Sequence, residues 1–560
     1  MLLKRIEVSG FRGIKRLSLT FDELTVLIGE NAWGKSSLLD ALSIALSPDA
    51  HFYNFKFSDF HVDYAAGHEK MAQLQIVIHF CEDYPGEHNA RRYKAFTPLW
   101  VDGEDVAKEL YYQINSIVKD DKIITHRSFL DNNGKIIHCP DTDRIAKQLM
   151  TLHPIVRIRD ARRLRREAYN GNGNGNGKNG NGNGKSDRDN SENARIQRRL
   201  DNTCQRLMTR PGHVSSDEIK SSINALRTLV DHYFAFAPHN RPSQFNRVHF
   251  PSWAQYTKNP LEQLTQPHMT KQARLILMGL LNAFIRARGP VELKRLARPI
   301  MILEDPEGRL HPTLLQQAWT FISNMPMQKI LTTNSSDLTS VVPLQSINKL
   351  IREPDRTHVY NISPRMLSRD EERRVAFHVR LHRPNALFAR AWLLVEGETE
   401  VWLFNEFARI CGYNLAAEGV QIIEFAQSGL RPLIKVARGL GIEWHLVADG
   451  DLAGKKYAET VRHLLGNDAE RHRLTVLPCR DIEHFLFKHG FEPLFRKLAS
   501  IPHDSPVTPK KIIARALKRH AKPDVALAIV EFTDEENVEE IPVLLRWILK
   551  RIVVMSRGVS

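Results

Sequence analysis

The chain has 560 residues, a formal net charge of +15 and 42% hydrophobic residues. It is too long for one hydrophobic core, so its composition predicts two or three globular domains. No apolar run reaches the length of a membrane span, and charges interrupt MLLKRIEVSGFRG at once, which argues against a signal peptide, an anchor or any membrane partner.

Cys81, Cys139, Cys204, Cys411 and Cys479 lie far apart with no CxxC pair, against both a disulfide framework and a zinc ribbon; a reducing cytoplasm is the expected compartment. The basic charge admits polyanions without separating nucleic acid from anionic lipid.

In chain order, LKRIEVSGFRGIKRLSLTF alternates apolar and polar residues in two runs around Gly10 and Gly13, predicting a strand pair with a turn. VLIGENAWGKSSLLDAL then matches GxxxxGK[ST] with Gly29, Gly34, Lys35 and Ser36, between the β-like LTVLI and the helical SSLLDALSIAL. The glycines let backbone N–H groups turn around phosphate, and the helix N-terminus adds partial positive charge. Lys35 reaches the outer phosphates and Ser36 ligates magnesium. Asn31 and Ser37 complete the expected nucleotide-binding set, and Trp33 is tolerated because it need only point outward.

From Met71, MAQLQIVIHF, LYYQINSIV and IITHRSFL continue a β pattern to about Leu130. The low-complexity stretch at 170–186, NGNGNGNGKNGNGNGK at its heart, cannot offset its own ordering entropy and is expected to be a disordered loop inside a domain. Basic RIRDARRLRREAY precedes it, and the basic segments from Arg157 to Arg166 and from Arg195 to Arg199 are expected to supply contacts to DNA phosphates, which makes binding salt-sensitive. ENARIQRRLDNTCQRLMTR and SSDEIKSSINALRTLVDHYFAFA follow, with apolar residues at helical spacing, as a helical hairpin that packs on a partner chain or on its own domain.

RPIMILEDPEGRLHP and KILTTNSSDL predict two short buried strands with a helix between them. Glu304 and Asp305 end the first: one carboxylate to hold hydrated magnesium, the next to orient a water toward the γ-phosphate. Asn334 and Ser335 follow the second, where a γ-phosphate sensor is expected. His311, His445 and His484 stand alone and default to structural roles, His311 being the one that merits a test.

From Ala391, strands alternate with helices, which implies a parallel sheet covered on both faces. LLVEGETE sets Glu396 at a strand end and Glu400 in a first helical turn; HLVADGD sets Asp449 and Asp451 at another strand end; Glu483 follows RLTVLP. Carboxylates gathered at the carboxyl edge repel one another unless a divalent cation neutralises them, and oxygen ligands favour magnesium or manganese. Two such ions would stabilise the attacking and leaving oxygens of phosphodiester cleavage. The plainer alternative makes these acids helix caps and solvated loop residues. The tail after Phe487 is mixed and basic and ends in the helix-like IPVLLRWILKRIVVM.

GENAWGKSS with ILEDPEGRLHP resembles the ABC-type ATPase head of the SMC, RecF and OLD (overcoming lysogenization defect) proteins, and VEGETE with DGD resembles a Toprim domain. Head plus C-terminal Toprim is the architecture of OLD-family nucleases, and the resemblance spans nearly the whole chain. The opening segment resembles an enterobacterial branch of that family. The resemblance implies a dimerising helical insertion at about 187–240, hence a homodimer, and metal ligation by Glu396, Glu400, Asp449, Asp451 and Glu483. It also implies a basic residue late in the Toprim domain that assists the chemistry, for which Lys550 is the candidate.

Three departures stand out. No clean glycine-rich signature motif is present, LTQPHMTKQARLILMGLL being the nearest placement. The Walker B acid is Glu304 rather than Asp, as is common in OLD proteins, and the switch position often filled by His is Asn334; these two put fast ATP turnover in doubt.

The expected fold is α/β: an ATPase domain at 1–375 carrying the insertion, a Toprim domain at 385–490 and a basic extension at 491–560. The leading expectation is an ATP-binding, magnesium- or manganese-dependent DNA endonuclease, with two ions at the Toprim site and one with ATP, and room for a further protein partner. The alternative is a DNA-binding ATPase, a clamp or sensor, whose Toprim-like domain binds metal without cutting. A strand-passing enzyme lacks a tyrosine marked as its nucleophile.

Overall fold

The computed structural model describes residues 1–63, 69–103, 107–158, 296–308, 316, 319, 323, 327–533 and 538–558. The Gly/Asn repeat, the helical insertion, the signature-motif placement and His311 lie outside the described residues. Two compact units emerge, residues 1–341 with 350–359, and residues 342–349 with 360–560.

In the first unit, β1 (Leu2–Phe11) and β2 (Ile14–Thr20) form the expected antiparallel pair. Gly10 is needed at the turn: its φ is +68° and a Cβ would stand 2.3 Å from the Gln73 carbonyl oxygen. With β4 (Gln73–Cys81), β5 (Lys108–Lys119) and β6 (Lys122–Leu130) they belong to a seven-stranded sheet. Ile6, Val8, Leu17, Leu19, Ile76 and Ile78 alternate inward and share a core with Leu38 and Leu42 of helix α1 (Lys35–Ala45) and Leu149 of helix α2 (Thr142–Leu152).

A second, six-stranded sheet contains β3 (Leu24–Ile28), β7 (Ile155–Ile158), β8 (Ile300–Glu304), β9 (Lys329–Thr332), β10 (Ile347–Arg352) and β11 (Thr357–Asn361), in the order β7-β8-β9-β3-β10-β11. The pairings β7–β8, β8–β9 and β9–β3 are parallel. β8 and β9 are buried along their whole length, with apolar Ile302, Leu303, Ile330 and Leu331 at their centres and Glu304 and Lys329 at their ends.

The second unit is built on a four-stranded parallel sheet of β12 (Ala391–Val395), β13 (Val420–Glu424), β14 (Glu443–Ala448) and β15 (Leu474–Val476), ordered β13-β12-β14-β15. Helices α3 (Glu398–Ile410), α4 (Leu430–Gly439), α5 (Leu452–Leu464) and α6 (Ile482–Leu486) follow the successive strands. In the tail, α7 (Lys522–Phe532) packs on α3, and α8 (Val543–Ser556) packs on β12 and α3.

This unit takes in residues from Tyr360, upstream of the boundary expected near 385, and local contacts give the reason. Glu371 pairs with Lys435 of α4 at 2.9 Å, Arg383 pairs with Glu424 of β13, and Gly439 of α4 is crowded by Asn361, Ile362 and Met366. Among the described residues no helix is long and apolar enough to cross a membrane.

Candidate functional sites

The phosphate loop joins β3 to α1, and two of its residues must be glycine. Gly29 has φ +141° and a Cβ there would lie 2.7 Å from the Leu350 carbonyl oxygen, while Gly34, with φ +95°, caps α1 in the left-handed region. Lys35 is buried, and its Nζ donates to the Gly29 carbonyl oxygen and, at 3.0 Å, to Asn334 Oδ1. Burial lowers its pKa, and the charges of Asp305, Glu307 and Glu30 oppose that shift.

Ser36 Oγ stands 3.5 Å from Glu304 Oε1, so the two groups expected to share a magnesium ion are brought together. Ser37 Oγ instead accepts from the Gly13 N–H at 3.4 Å, which ties the loop helix to the β1–β2 turn. Asn31 Oδ1 accepts from Asn334 Nδ2 at 3.4 Å.

Two groups here escaped the sequence reading. Glu307 accepts hydrogen bonds from the Asn334 N–H at 2.7 Å and from Thr333 Oγ1 at 3.0 Å, and burial raises its pKa. Asp305, at φ +44°, is tied back to β9, with its Oδ1 accepting from Thr332 Oγ1 at 3.1 Å. The acid that grips the predicted sensor residue is therefore Glu307. Its signal was a third carboxylate in EDPE, one turn past the strand end. The second group is Arg157, whose Nη2 lies 2.8 Å from Glu304 Oε2.

At the carboxyl edge of the four-stranded sheet the predicted acids share one electrostatic neighbourhood. Glu396 follows β12, and its Oε2 is buried without a hydrogen-bond partner; burial, then the charge of Asp451, raises its pKa. Glu400 caps its own helix by accepting from the Gly397 N–H at 3.2 Å, and burial raises its pKa too. Asp449 follows β14 and is pushed up to about 8, by burial first and then by Glu400, Glu396, Asp481 and Glu483. Asp451 is the N-cap of α5, accepting from the Gly454 N–H at 2.8 Å. Glu483 is buried in α6, again with a raised pKa caused mainly by burial.

Two glycines make this packing possible. A Cβ on Gly454 would lie 2.0 Å from the Asp449 carbonyl oxygen, and one on Gly450 would lie 2.3 Å from that of Cys479. The plainer alternative is half right, since Glu400 and Asp451 do cap helices. A cap is what fixes a carboxylate at a strand end.

The sequence reading missed Asp481, the N-cap of α6, which accepts from the His484 N–H at 2.8 Å while its Oδ1 lies 2.5 Å from His484 Nδ1. It also missed Lys522, the first residue of α7. Lys522 Nζ stands 4.0 Å from Glu483 Oε1, and its charge favours ionisation of Glu396, Glu400 and Glu483. Lys550 lies exposed on α8.

His445 is structural: its ring is bonded to His472 O at 2.8 Å and Thr475 Oγ1 at 2.9 Å, and burial lowers its pKa to about 4. A partnerless buried Glu396 oxygen and an Asp449 that holds its proton to about pH 8 fit a site made for a divalent cation. Among the described residues, however, no three His, Cys, Asp or Glu side chains stand at the spacing of a closed metal cage.

Comparison with known proteins adds to this geometry. Residues 1–386 match the family model described as a protein of unknown function (DUF2813), and residues 387–451 match the overcoming lysogenization defect protein-like, Toprim domain. The chain is 40% identical over 571 aligned positions to the uncharacterized protein YbjD of Escherichia coli (strain K12), covering all of both chains. It is 20% identical to the OLD nuclease of Thermus scotoductus, over 80% of this chain and 82% of that one. The C-terminal region of the Xanthomonas campestris pv. campestris OLD protein is a solved structure with 18% identity and a TM-score of 0.27, over 31% of this chain and 97% of its own.

Proposed function

The chain belongs to the OLD-like family, with a DUF2813 ATPase region followed by an OLD-like Toprim domain, and on that premise we propose that it is an ATP-binding, divalent-metal-dependent DNA endonuclease. The observation that carries this reading is the set of acids around Asp449, whose pKa burial first and then those acids raise to about 8, with Lys522 as countercharge beside Glu483.

Glu396, Glu400, Asp449, Asp451 and Glu483 would hold magnesium or manganese there, and Asp481 adds to the negative field. When bound, the ions supply Lewis-acid stabilisation of the attacking and leaving oxygens. Asp449 would give up its proton on loading, and Glu396 would offer its buried, unpartnered oxygen as a ligand. Lys522 offsets part of the acidic field and offers a cation to the phosphate of the strand being cut.

In the ATPase region, Lys35 and the Gly29–Gly34 loop would bind the phosphates, Ser36 and Glu304, 3.5 Å apart, would hold the magnesium of ATP, and Asn334, steadied by Glu307, would serve the γ-phosphate. Nucleotide occupancy regulates access of DNA to the acidic site, in a cytoplasmic homodimer that has room for a further protein partner.

A second reading, a DNA-binding ATPase that clamps without cutting, draws on the absence of a closed metal cage among the described residues. The deciding experiment incubates supercoiled plasmid with magnesium or manganese, with and without ATP, beside Glu400→Ala and Lys35→Ala. Nicking or linearisation lost in Glu400→Ala, with ATP binding retained, is the expected result. Equal cleavage by that variant overturns the assignment of the site, and DNA retention without cutting in any metal moves the function to the clamp.

A further inference from the structure

Arg157, the third residue of β7, reaches the magnesium carboxylate from a neighbouring strand. Its Nε donates to Glu304 Oε2 at 3.0 Å, its Nη2 lies 2.8 Å from the same oxygen, and its Nη1 bonds to Asp40 of α1. Asp40 also holds Arg12, whose Nε donates to Asp59 Oδ1 at 2.9 Å. The Arg157 and Glu304 side chains are 9% and 6% exposed, so solvent screens their attraction little. The other oxygen of Glu304 is the one facing Ser36. The carboxylate that would serve the nucleotide's magnesium is thus already engaged on one side by a guanidinium.

We infer that Arg157 is a positioning residue of the nucleotide site with which magnesium competes for Glu304; the inference rests on the ATP-site reading above. A guanidinium and a divalent cation seek the same carboxylate lone pairs, and crowding both charges into a buried site is unfavourable. Arg157 therefore orients Glu304 before the metal arrives and lets go when magnesium and nucleotide enter. Asp40 gives it somewhere to stay, because the Nη1 bond does not involve Glu304. The affinity for magnesium is lowered by the fraction of Glu304 held in the ion pair, which builds a concentration threshold into ATP binding.

The test is nucleotide binding, with no turnover needed. Full-length protein is titrated with magnesium at fixed fluorescent ATP analogue, with a chelator control, for wild type, Arg157→Gln, Arg157→Lys and Asp40→Asn. Removing the competitor in Arg157→Gln lowers the half-saturating magnesium concentration about tenfold. Arg157→Lys keeps the charge without the fork and lowers it about threefold, which preserves the test should the glutamine variant fail to fold. Asp40→Asn deprives Arg157 of its alternative partner and raises the midpoint about threefold.

A purely structural role predicts weaker binding at saturation with no opposite movement of the midpoints. Midpoints of both Arg157 variants at or above wild type, with saturable binding intact, overturn the inference and leave the ATP site standing. Failure of wild type to bind nucleotide at any magnesium concentration overturns the ATP-site reading and this inference together.

Discussion

Around the phosphate loop the buried acids meet cations supplied by the chain itself: Glu304 and Asp40 share Arg157, and Asp40 and Asp59 share Arg12. At the carboxyl edge of the four-stranded sheet, Glu396, Glu400, Asp449 and Glu483 all hold their protons more tightly than free carboxyls, with Lys522 as a cation acting on Glu396, Glu400 and Glu483. On the proposed function, metal entering the first site would displace an existing partner, whereas metal entering the second would relieve repulsion. The same ion should therefore do little for the stability of one region and much for that of the other.

The largest effect that would break this contrast is on cleavage. Asp449→Ala removes the acid on which the others converge, and metal-dependent plasmid cleavage should fall about 10³-fold, roughly 4 kcal/mol of transition-state stabilisation, with ATP binding unchanged. A loss of ATP binding in parallel would mean that the substitution acts beyond the acidic site. Next in size, Lys522→Ala should lower cleavage about 10²-fold. In chelator it should also lower the melting temperature, with excess magnesium restoring most of that loss. A melting temperature indifferent to the substitution would show that Lys522 does not balance the acids.

The smallest effect is on pH dependence. An unfolded Asp releases its proton near pH 3.9, whereas folded Asp449 keeps it to about 8. The folded chain binds the extra proton across that window, so this contribution to stability is full below pH ~4 and is lost as pH rises toward 8. In chelator, melting temperatures should fall between pH 5 and pH 8. Asp449→Asn should flatten the slope, and so should saturating magnesium. An upward slope in chelator would contradict the repulsion described here.

What was legible in the sequence was whatever a short segment encodes by itself. GENAWGKSS between a strand and a helix spells the loop that Gly29 and Gly34 form, and DGD after an apolar run spells Asp449 and Asp451 at a strand end. The alternation after Ala391 announced a parallel sheet but not the order β13-β12-β14-β15, which depends on pairings between distant segments. The missed groups failed for the same reason. Lys522 sits in AKPD, which reads as an ordinary helix start, until packing of α7 on α3 brings it to the acids. Asp481 reads as a cap because it is one, and nothing local reveals that its charge also reaches Asp449. Arg157 opens a basic run that reads as contacts to DNA phosphates, whereas its partner Glu304 arrives from an adjacent strand.

Lys35, folded back on the Gly29 carbonyl and Asn334, bears on time as well as affinity. A nucleotide that reaches the loop finds its principal cation already engaged, so capture waits on those bonds opening. Association should be slower than diffusion allows and level off at high nucleotide concentration, with the plateau set by the opening rate. Asn334→Ala, which frees one of the lysine's two attachments, should raise that plateau in a stopped-flow trace even as it weakens the final complex.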